Sequence, residues 1–236
     1  MRLDQAIVAA GLAESRARAQ QLIAAGVVTV AGRVVTKASS RAAPDAIALT
    51  ENPIPWVSRA ALKLLHGLDH WSLVPSGTAL DIGASTGGFT EVLLARGASE
   101  VIAVDVGRDQ MHPSLRHDPR VDLREGLNAK DLPPVGPVDW LVSDVSFISL
   151  TKALPRAMAE TRPGGTALVL VKPQFEVGRA GLSKGGVVKD DAGRAAALSG
   201  VVSFFEASGW AVRGTTNSPI LGGDGNHEFL LWATKP

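Results

Sequence analysis

Four ionisable residues, far apart in the chain, sit where chemistry can be done: Lys63, Asp144, Lys172 and Glu228. Asp144 follows an apolar run over 138–143, Lys172 ends another over 166–172, and Glu228 opens the last one, which runs to Thr234. Lys63 lies off the apolar stripe of a helix that precedes the first of these strands. Ligands of an open α/β sheet bind beyond the carboxyl ends of its parallel strands. A closing antiparallel strand begins at that same rim, so the four residues are expected to converge there. A lysine ending an apolar strand is partly desolvated, which disfavours its charged form, and a neighbouring aspartate opposes that effect. Two lysines and two acids around one pocket can bind a hydroxyl and remove its proton, with lysine as the base. Taken singly, each has a plainer reading. Lys63 is then a solvated helix lysine, Lys172 with Asp144 a structural ion pair, and Glu228 an edge-strand charge.

A second stretch, Asp81-Ile-Gly-Ala-Ser-Thr-Gly-Gly-Phe-Thr90, points to the electrophile. It follows a short apolar run and precedes a helical one; a second strand, Val101 to Val104, then ends on Asp105. Strand, glycine-bearing turn, helix and a second strand ending in an acid open a nucleotide-binding sheet. The turn is not G-x-G-x-x-G, because its glycines are Gly83, Gly87 and Gly88. That variant suits a nucleoside without a pyrophosphate, of which S-adenosylmethionine is the commonest; a turn holding no ligand is the plainer alternative. A hydroxyl oxygen would then attack the sulfonium methyl in line, a reaction in which positioning supplies much of the acceleration. Asp81, Gly83, Ala84, Ser85, Gly87, Gly88 and Phe89 are assigned to the methionine side of this cofactor. Asp105 is assigned to its ribose, with Val106 beside it, Asn128 to its adenine, and Asp144 completes the set. No metal is required, and no metal-ligand spacing is visible.

These residues need a scaffold. The patterning predicts strands at 78–82, 101–105, 121–123, 138–143 and 166–172, and helices at 88–96, 109–116, 150–160 and 191–207. Such alternation implies the α/β class, with a mainly parallel, Rossmann-like sheet. The closing strands, Trp210 to Thr216 and Glu228 to Thr234, have no crossover helix between them and must pair antiparallel. That ending is typical of S-adenosylmethionine-dependent methyltransferases. Upstream, a helix over 3–10 and a second opening at Glu14-Ser15, with Ser15 as N-cap, precede a hairpin turning at Ala31-Gly32 and a strand over 46–49. Pro53 and Pro55 favour a stiff extended connector. The expected organisation is a small α+β domain over 1–51, a linker over 52–57 and the larger domain over 58–236. The first helix of the larger domain is predicted to start at Ser58, as N-cap, and to reach about His66.

The chain has 236 residues, 45% hydrophobic and 20% charged, enough for one medium core and one small one. A net charge of +1 argues against a polyanion-attracting field over the whole protein. Residues 1–59 nevertheless hold seven Lys/Arg against four Asp/Glu, a mildly basic N-terminal module. The absence of cysteine excludes disulfides, Cys-ligated zinc and thiol catalysis, and fits a cytoplasmic location. No apolar run approaches the roughly 18–20 residues needed to span a bilayer. No signal peptide is expected at Met1-Arg-Leu-Asp4.

Lys63, Asp144, Lys172 and Glu228 match, in order and context, the Lys-Asp-Lys-Glu tetrad of the FtsJ-type ribose 2′-O-methyltransferases. Ser58-Arg-Ala-Ala-Leu-Lys-Leu64 is similar to the helix bearing that family's first lysine. More narrowly, the stretches 81–89, 103–107, 144–150, 171–176 and 184–188 resemble the TlyA family of rRNA cytidine 2′-O-methyltransferases, whose members often carry the name haemolysin. The resemblance covers nearly the whole chain. It implies S-adenosylmethionine as cofactor, rRNA or a ribosomal subunit as partner, and residues 1–50 as the α-L RNA-binding module of ribosomal and pseudouridine-synthase proteins. It also places Trp56-Val57 in an interdomain linker important in that family. Two departures stand out: Ala60-Ala61 replaces the family's Gly-Gly, and Asp109-Gln-Met111 replaces its Gly-Gln-Leu. One subgroup methylates 23S rRNA alone, and another, with slightly longer ends, also methylates 16S rRNA. This chain starts directly at Met1-Arg-Leu-Asp and ends soon after its last strand, so 23S rRNA is the favoured target.

Arg16, Arg18, Arg33, Lys37 and Arg41 are placed against RNA phosphates, which position a substrate without reading its sequence; a solvated basic surface is the plainer reading. The long glycine-containing stretch over 173–190 is expected to order over the substrate, with Phe147 or Phe175 stacking on a base. The expected function is S-adenosylmethionine-dependent 2′-O-methylation of a cytidine in rRNA. Its rivals are a non-catalytic rRNA-binding or ribosome-assembly factor, a nicotinamide oxidoreductase, and a pore-forming haemolysin. No segment is apolar or amphipathic enough for the last.

Overall fold

The computed structural model describes residues 1–13, 15–24, 26–50, 55–178, 181–183, 185–188, 190–222 and 225–236. Expectations resting on Glu14, on Asn52 to Ile54 of the linker, and on Lys184 lie outside the described residues. The chain divides into two compact units, Met1–Ser58 and Arg59–Pro236.

The first unit holds α1 (Leu3–Ala9), α2 (Arg16–Ala24), β1 (Val28–Val30), β2 (Arg33–Val34) and β3 (Ile47–Leu49), with the strands in the order β2-β1-β3. Leu3, Ala6 and Ile7 on one face of α1 pack in a single core with Ala19, Leu22 and Ile23 of α2, the three-to-four spacing of amphipathic helices. Ser15 caps α2, its Oγ accepting from the Arg18 N–H at 3.2 Å. Ala31 and Gly32 both adopt left-handed φ, 48° and 77°. This is the primed two-residue turn whose twist suits a hairpin, and it sets the register Val30 opposite Arg33. Asp4 is fully buried and accepts hydrogen bonds from Arg2 (3.0 Å), Arg16 (2.8 Å) and Gln20 (3.1 Å). The arginine hydrogen bonds outweigh burial and hold its carboxyl well below the usual carboxylate range.

The second unit runs α3 (Ala61–His70), β4 (Gly77–Ile82), α4 (Gly88–Arg96), β5 (Ala98–Asp105), α5 (Pro113–Arg116), β6 (Val121–Glu125), β7 (Val138–Ser143), α6 (Leu150–Ala153), α7 (Pro155–Glu160), β8 (Thr161–Val171), α8 (Pro173–Glu176), α9 (Asp191–Ala207), β9 (Ala211–Asn217) and β10 (Phe229–Thr234). One seven-stranded sheet has the order β6-β5-β4-β7-β8-β10-β9. The first five strands are parallel, and β10 lies antiparallel between β8 and β9. The central strands read as continuous apolar runs because both faces are covered; Ala167 to Val171 are buried to a residue. The strand order reverses at β4, whose neighbours are β5 and β7. That reversal opens a crevice at the carboxyl edge.

Several predicted helix boundaries are corrected. The helix expected from Ser58 begins at Ala61, with Ala60 at the cap and no side-chain cap bond, and the Ser58 Oγ is buried without a partner among the described residues. The single helix expected over 150–160 breaks into α6 and α7, because Pro155 donates no N–H and starts a new helix at its first position. The helix expected over 109–116 shrinks to α5 because Glu125 captures the preceding turn. Its carboxylate accepts from the backbone N–H of Asp109 (2.9 Å), Gln110 (3.0 Å) and Met111 (3.3 Å), and Arg116 reaches it at 2.8 Å. Burial pushes that carboxyl up, but these donors bring it down to about 2.

Asp109, which stands where the resembled family has glycine, has φ 56°. Aspartate tolerates the left-handed region but glycine adopts it without strain. Asp109→Gly is therefore expected to stabilise the fold by about 1 kcal/mol, read as a higher urea midpoint at unchanged slope. A lower midpoint would show that the weak 3.8 Å contact of Asp109 to Arg116 matters more than the backbone.

Candidate active site

The structure brings Lys63, Asp144, Lys172 and Glu228 together. Lys63 Nζ, on the first turn of α3, lies 2.7 Å from Glu228 Oε2 and 3.7 Å from Asp144 Oδ2. Lys172 Nζ lies 2.7 Å from Asp144 Oδ1 and also donates to the Asp144 carbonyl (3.2 Å) and to Ser146 Oγ (2.7 Å). Asp144 follows β7, Lys172 follows β8 and Glu228 precedes β10, so three strand ends and one helix supply the cluster. Lys63, Lys172 and Glu228 are each less than a tenth exposed. Two positive and two negative groups neutralise one another, which is what permits their burial. Removing one member would leave an uncompensated charge, typically costing about 3–5 kcal/mol.

Beside the cluster lies a cavity of about 660 Å³ at the carboxyl edge of β4, β5 and β7, within the range of small-molecule sites. Asp144 and Ser146 line one part of it, and Gly83, Ser85, Asp105, Val106 and Asn128 line others. Gly83 has φ 87°, and a Cβ there would come within 3.0 Å of the Val145 backbone, so only glycine lets the two crossover loops approach this closely. Each oxygen of Asp105 accepts one backbone N–H, Oδ2 from Ser85 (2.8 Å) and Oδ1 from Gly107 (2.7 Å). This fixes the carboxylate and leaves lone pairs for two further donors, as a ribose diol requires. Ser85, at φ 48°, donates to Gln110 Oε1. The donor set and the size of the cavity fit S-adenosylmethionine.

Other residues assigned to the cofactor stand behind this wall. Asp81, Ala84, Gly87, Gly88 and Phe89 do not line the cavity. Asp81 is fully buried, with Thr90 Oγ1 donating to its Oδ2 at 2.7 Å. Phe89 is in the core, and Gly87 turns the chain into α4 with φ 95°. All five are buried, in β4, in the turn and in the first turn of α4. Asn128 does reach the cavity, yet its side chain also accepts from the Lys130 N–H at 3.1 Å. In the first unit Arg33, Lys37 and Arg41 are exposed. Arg16 is half exposed and anchored by Asp4, and Arg18 reaches Gln21 Oε1 at 3.4 Å.

Three residues carry roles that sequence reasoning missed. Ser146 was visible only as part of Asp144-Val-Ser-Phe147. Gln110 was hidden in a segment expected to be helical. Glu176 ties the segments after β7 and β8 together, its carboxylate accepting from the Leu150 N–H (2.9 Å) and from Ser149 Oγ (2.5 Å). Phe147 is 90% exposed, holds a left-handed φ of 65° and lies 5.3 Å from Phe175. Among the described residues no cluster could hold a metal ion, and no helix is long and apolar enough to cross a membrane.

A seven-stranded sheet of this order, with an antiparallel strand inserted near its end and a nucleoside-sized cavity at the reversal point, defines a Rossmann-like methyltransferase. Residues 56–235 match the FtsJ-like methyltransferase family and residues 1–47 match the S4 domain. The chain is 44% identical to the 16S/23S rRNA (cytidine-2′-O)-methyltransferase TlyA of Mycobacterium tuberculosis, over 98% of this chain and 88% of that protein. It is 37% identical to the 23S rRNA (cytidine-2′-O)-methyltransferase TlyA of Campylobacter jejuni, over 76% of this chain and 71% of that protein. A solved structure from Streptococcus thermophilus, carrying the name hemolysin, superposes with a TM-score of 0.80 at 37% identity, covering 100% of this chain and 88% of that one. The chain belongs to the FtsJ-like methyltransferase family, in its TlyA group, and is an S-adenosylmethionine-dependent methyltransferase.

Proposed function

We propose that this enzyme methylates the 2′-hydroxyl of a cytidine in rRNA, with 23S rRNA, the target shared by the names of both relatives above, as the favoured substrate. The observation that carries the reading is the closed Lys63–Glu228 and Lys172–Asp144 network opening, through Asp144 and Ser146, on the cofactor cavity. S-adenosylmethionine, when bound, supplies an electrophilic methyl group. Lys172 takes the proton of the ribose hydroxyl, so that the sugar oxygen forms its bond to carbon as the carbon–sulfur bond breaks. Asp144 holds Lys172 through two oxygens, and Lys63, fixed by Glu228, orients the hydroxyl. Asp105 and Ser85 hold the cofactor's ribose end.

Residues 1–51 serve as the RNA-holding domain, joined through 52–57 to the methyltransferase domain at 58–236. Arg16, Arg18, Arg33, Lys37 and Arg41 meet phosphates there. Phe147, paired with Phe175, offers a face on which the target base stacks. The ribosomal substrate places the enzyme in the cytoplasm. A non-catalytic assembly factor would have no need of four mutually compensated buried charges at the mouth of a cofactor cavity.

The test is transfer of tritiated methyl to separated ribosomal subunits and to free rRNA, followed by mapping of the modified ribose. A labelled cytidine 2′-oxygen in 23S rRNA is expected. Label on a base, or no label on either subunit or free rRNA, would refute the reading; label confined to 16S rRNA would overturn the favoured target.

A further inference from the structure

Lysine ammonium has three N–H donors. Lys172 donates to the Asp144 carbonyl (3.2 Å) and to Ser146 Oγ (2.7 Å), and its Nζ forms an ion pair with Asp144 Oδ1 at 2.7 Å. Asp144 thus holds Lys172 through its carbonyl and its charge, and its oxygens serve as acceptors. Asp144 offers Lys172 no proton, whereas the Ser146 hydroxyl, 2.7 Å from Nζ, has one to give. Lys172 itself is 7% exposed and is absent from the cavity wall, whereas Ser146 is exposed and lines the cavity. A hydroxyl arriving from the cavity must either displace Ser146 from Lys172 or act through it. Of the three partners of Lys172, only Ser146 is a hydroxyl, able to accept one proton while donating another. The other charged groups of the cluster, Lys63 from α3 and Glu228 ahead of β10, are committed to each other at 2.7 Å.

We propose that Ser146 relays the proton between the ribose 2′-hydroxyl and Lys172. The sugar O–H bond breaks as a proton reaches Ser146 Oγ; the Ser146 O–H bond breaks as its proton forms the third N–H of Lys172. Ser146 is neutral before and after, Lys172 gains the positive charge, and the freed sugar oxygen attacks the methyl carbon. The inference rests on Lys172 being the base.

The experiment compares the wild-type enzyme with Ser146→Ala, Ser146→Thr and Lys172→Ala, all with saturating 23S rRNA and S-adenosylmethionine. Ser146→Ala is expected to lower kcat by about a hundredfold, within the span of a lost proton-transfer group, with the melting temperature little changed. Ser146→Thr, which keeps a hydroxyl, is expected to stay within about fivefold of wild type. A proton inventory in mixed H2O and D2O should show two protons moving in the wild-type enzyme and one in Ser146→Ala. Ser146→Ala as fast as wild type or faster would show that the hydroxyl displaces Ser146 and would overturn the relay. Equal inactivity of the Ala and Thr variants would make Ser146 a packing residue and overturn it as well. Activity surviving in Lys172→Ala would instead remove the base on which both readings stand.

Discussion

Lys172→Ala is expected to lose methyl transfer by about a thousandfold, the middle of the range for a removed general base. Lys172 does not line the cofactor cavity, so S-adenosylmethionine affinity should change little. Lys172→Arg decides between the base and a structural ion pair. Arginine preserves the charge opposite Asp144 but does not release its proton in proteins. If Lys172 is the base, the arginine variant folds, binds cofactor and is as inactive as the alanine variant. If Lys172 only holds Asp144, the arginine variant keeps most of its rate. Single-turnover methylation, with cofactor affinity measured in parallel, separates these outcomes. An arginine variant near the wild-type rate would remove Lys172 from the chemistry.

The second large effect concerns stability. Burial raises the Asp81 carboxyl to about 7, the charges of Asp144 and Asp105 push the same way, and the Thr90 hydroxyl opposes them. Between the unfolded value of 3.8 and about 7, the folded protein holds a proton that the unfolded chain has lost. Stability therefore falls as pH rises through that window and stays low above it. At about 1.4 kcal/mol per pH unit the loss amounts to about 4 kcal/mol. Asp81→Asn removes the titration and preserves the shape. It is expected to exceed wild-type stability at pH 8 by up to about 4 kcal/mol, and to approach it at pH 4. Urea unfolding at the two values measures the gap. A gap of the same size at both would show that Asp81 titrates as an ordinary aspartate.

The two predictions mark two kinds of legibility. Lys172 could be found from the chain because it interrupts an apolar run at the end of a strand, where a charge is costly unless it is used or paired. The same logic found Asp105, Asp144 and Glu228, and the antiparallel ending followed from the absent crossover helix. Asp81 was assigned to the ligand because it ends a strand beside a glycine turn. Whether such a side chain faces the crevice or lies beneath it depends on how the sheet and α4 close around it, which no local pattern encodes. The anchoring of Arg16 was not legible because its partner, Asp4, lies twelve residues away on another helix. The helix expected over 109–116 failed for a related reason. Pro113 can only begin a helix there, and a carboxylate from the end of β6 takes three backbone N–H groups ahead of it.

Sequence alone determined the class of sheet, the glycine turn, the identities of the four charged residues and the hydroxyl-to-methyl chemistry they imply. Each of these rests on periodicity or on residue type, which are properties of neighbours along the chain. Tertiary structure decided that β10 inserts between β8 and β9, that Asp81 is sealed while Asp105 is presented, that Glu176 joins two loops, and that Ser146 stands between Lys172 and the cavity. Those outcomes depend on contacts between residues remote in sequence, whose distances are set only when the core closes.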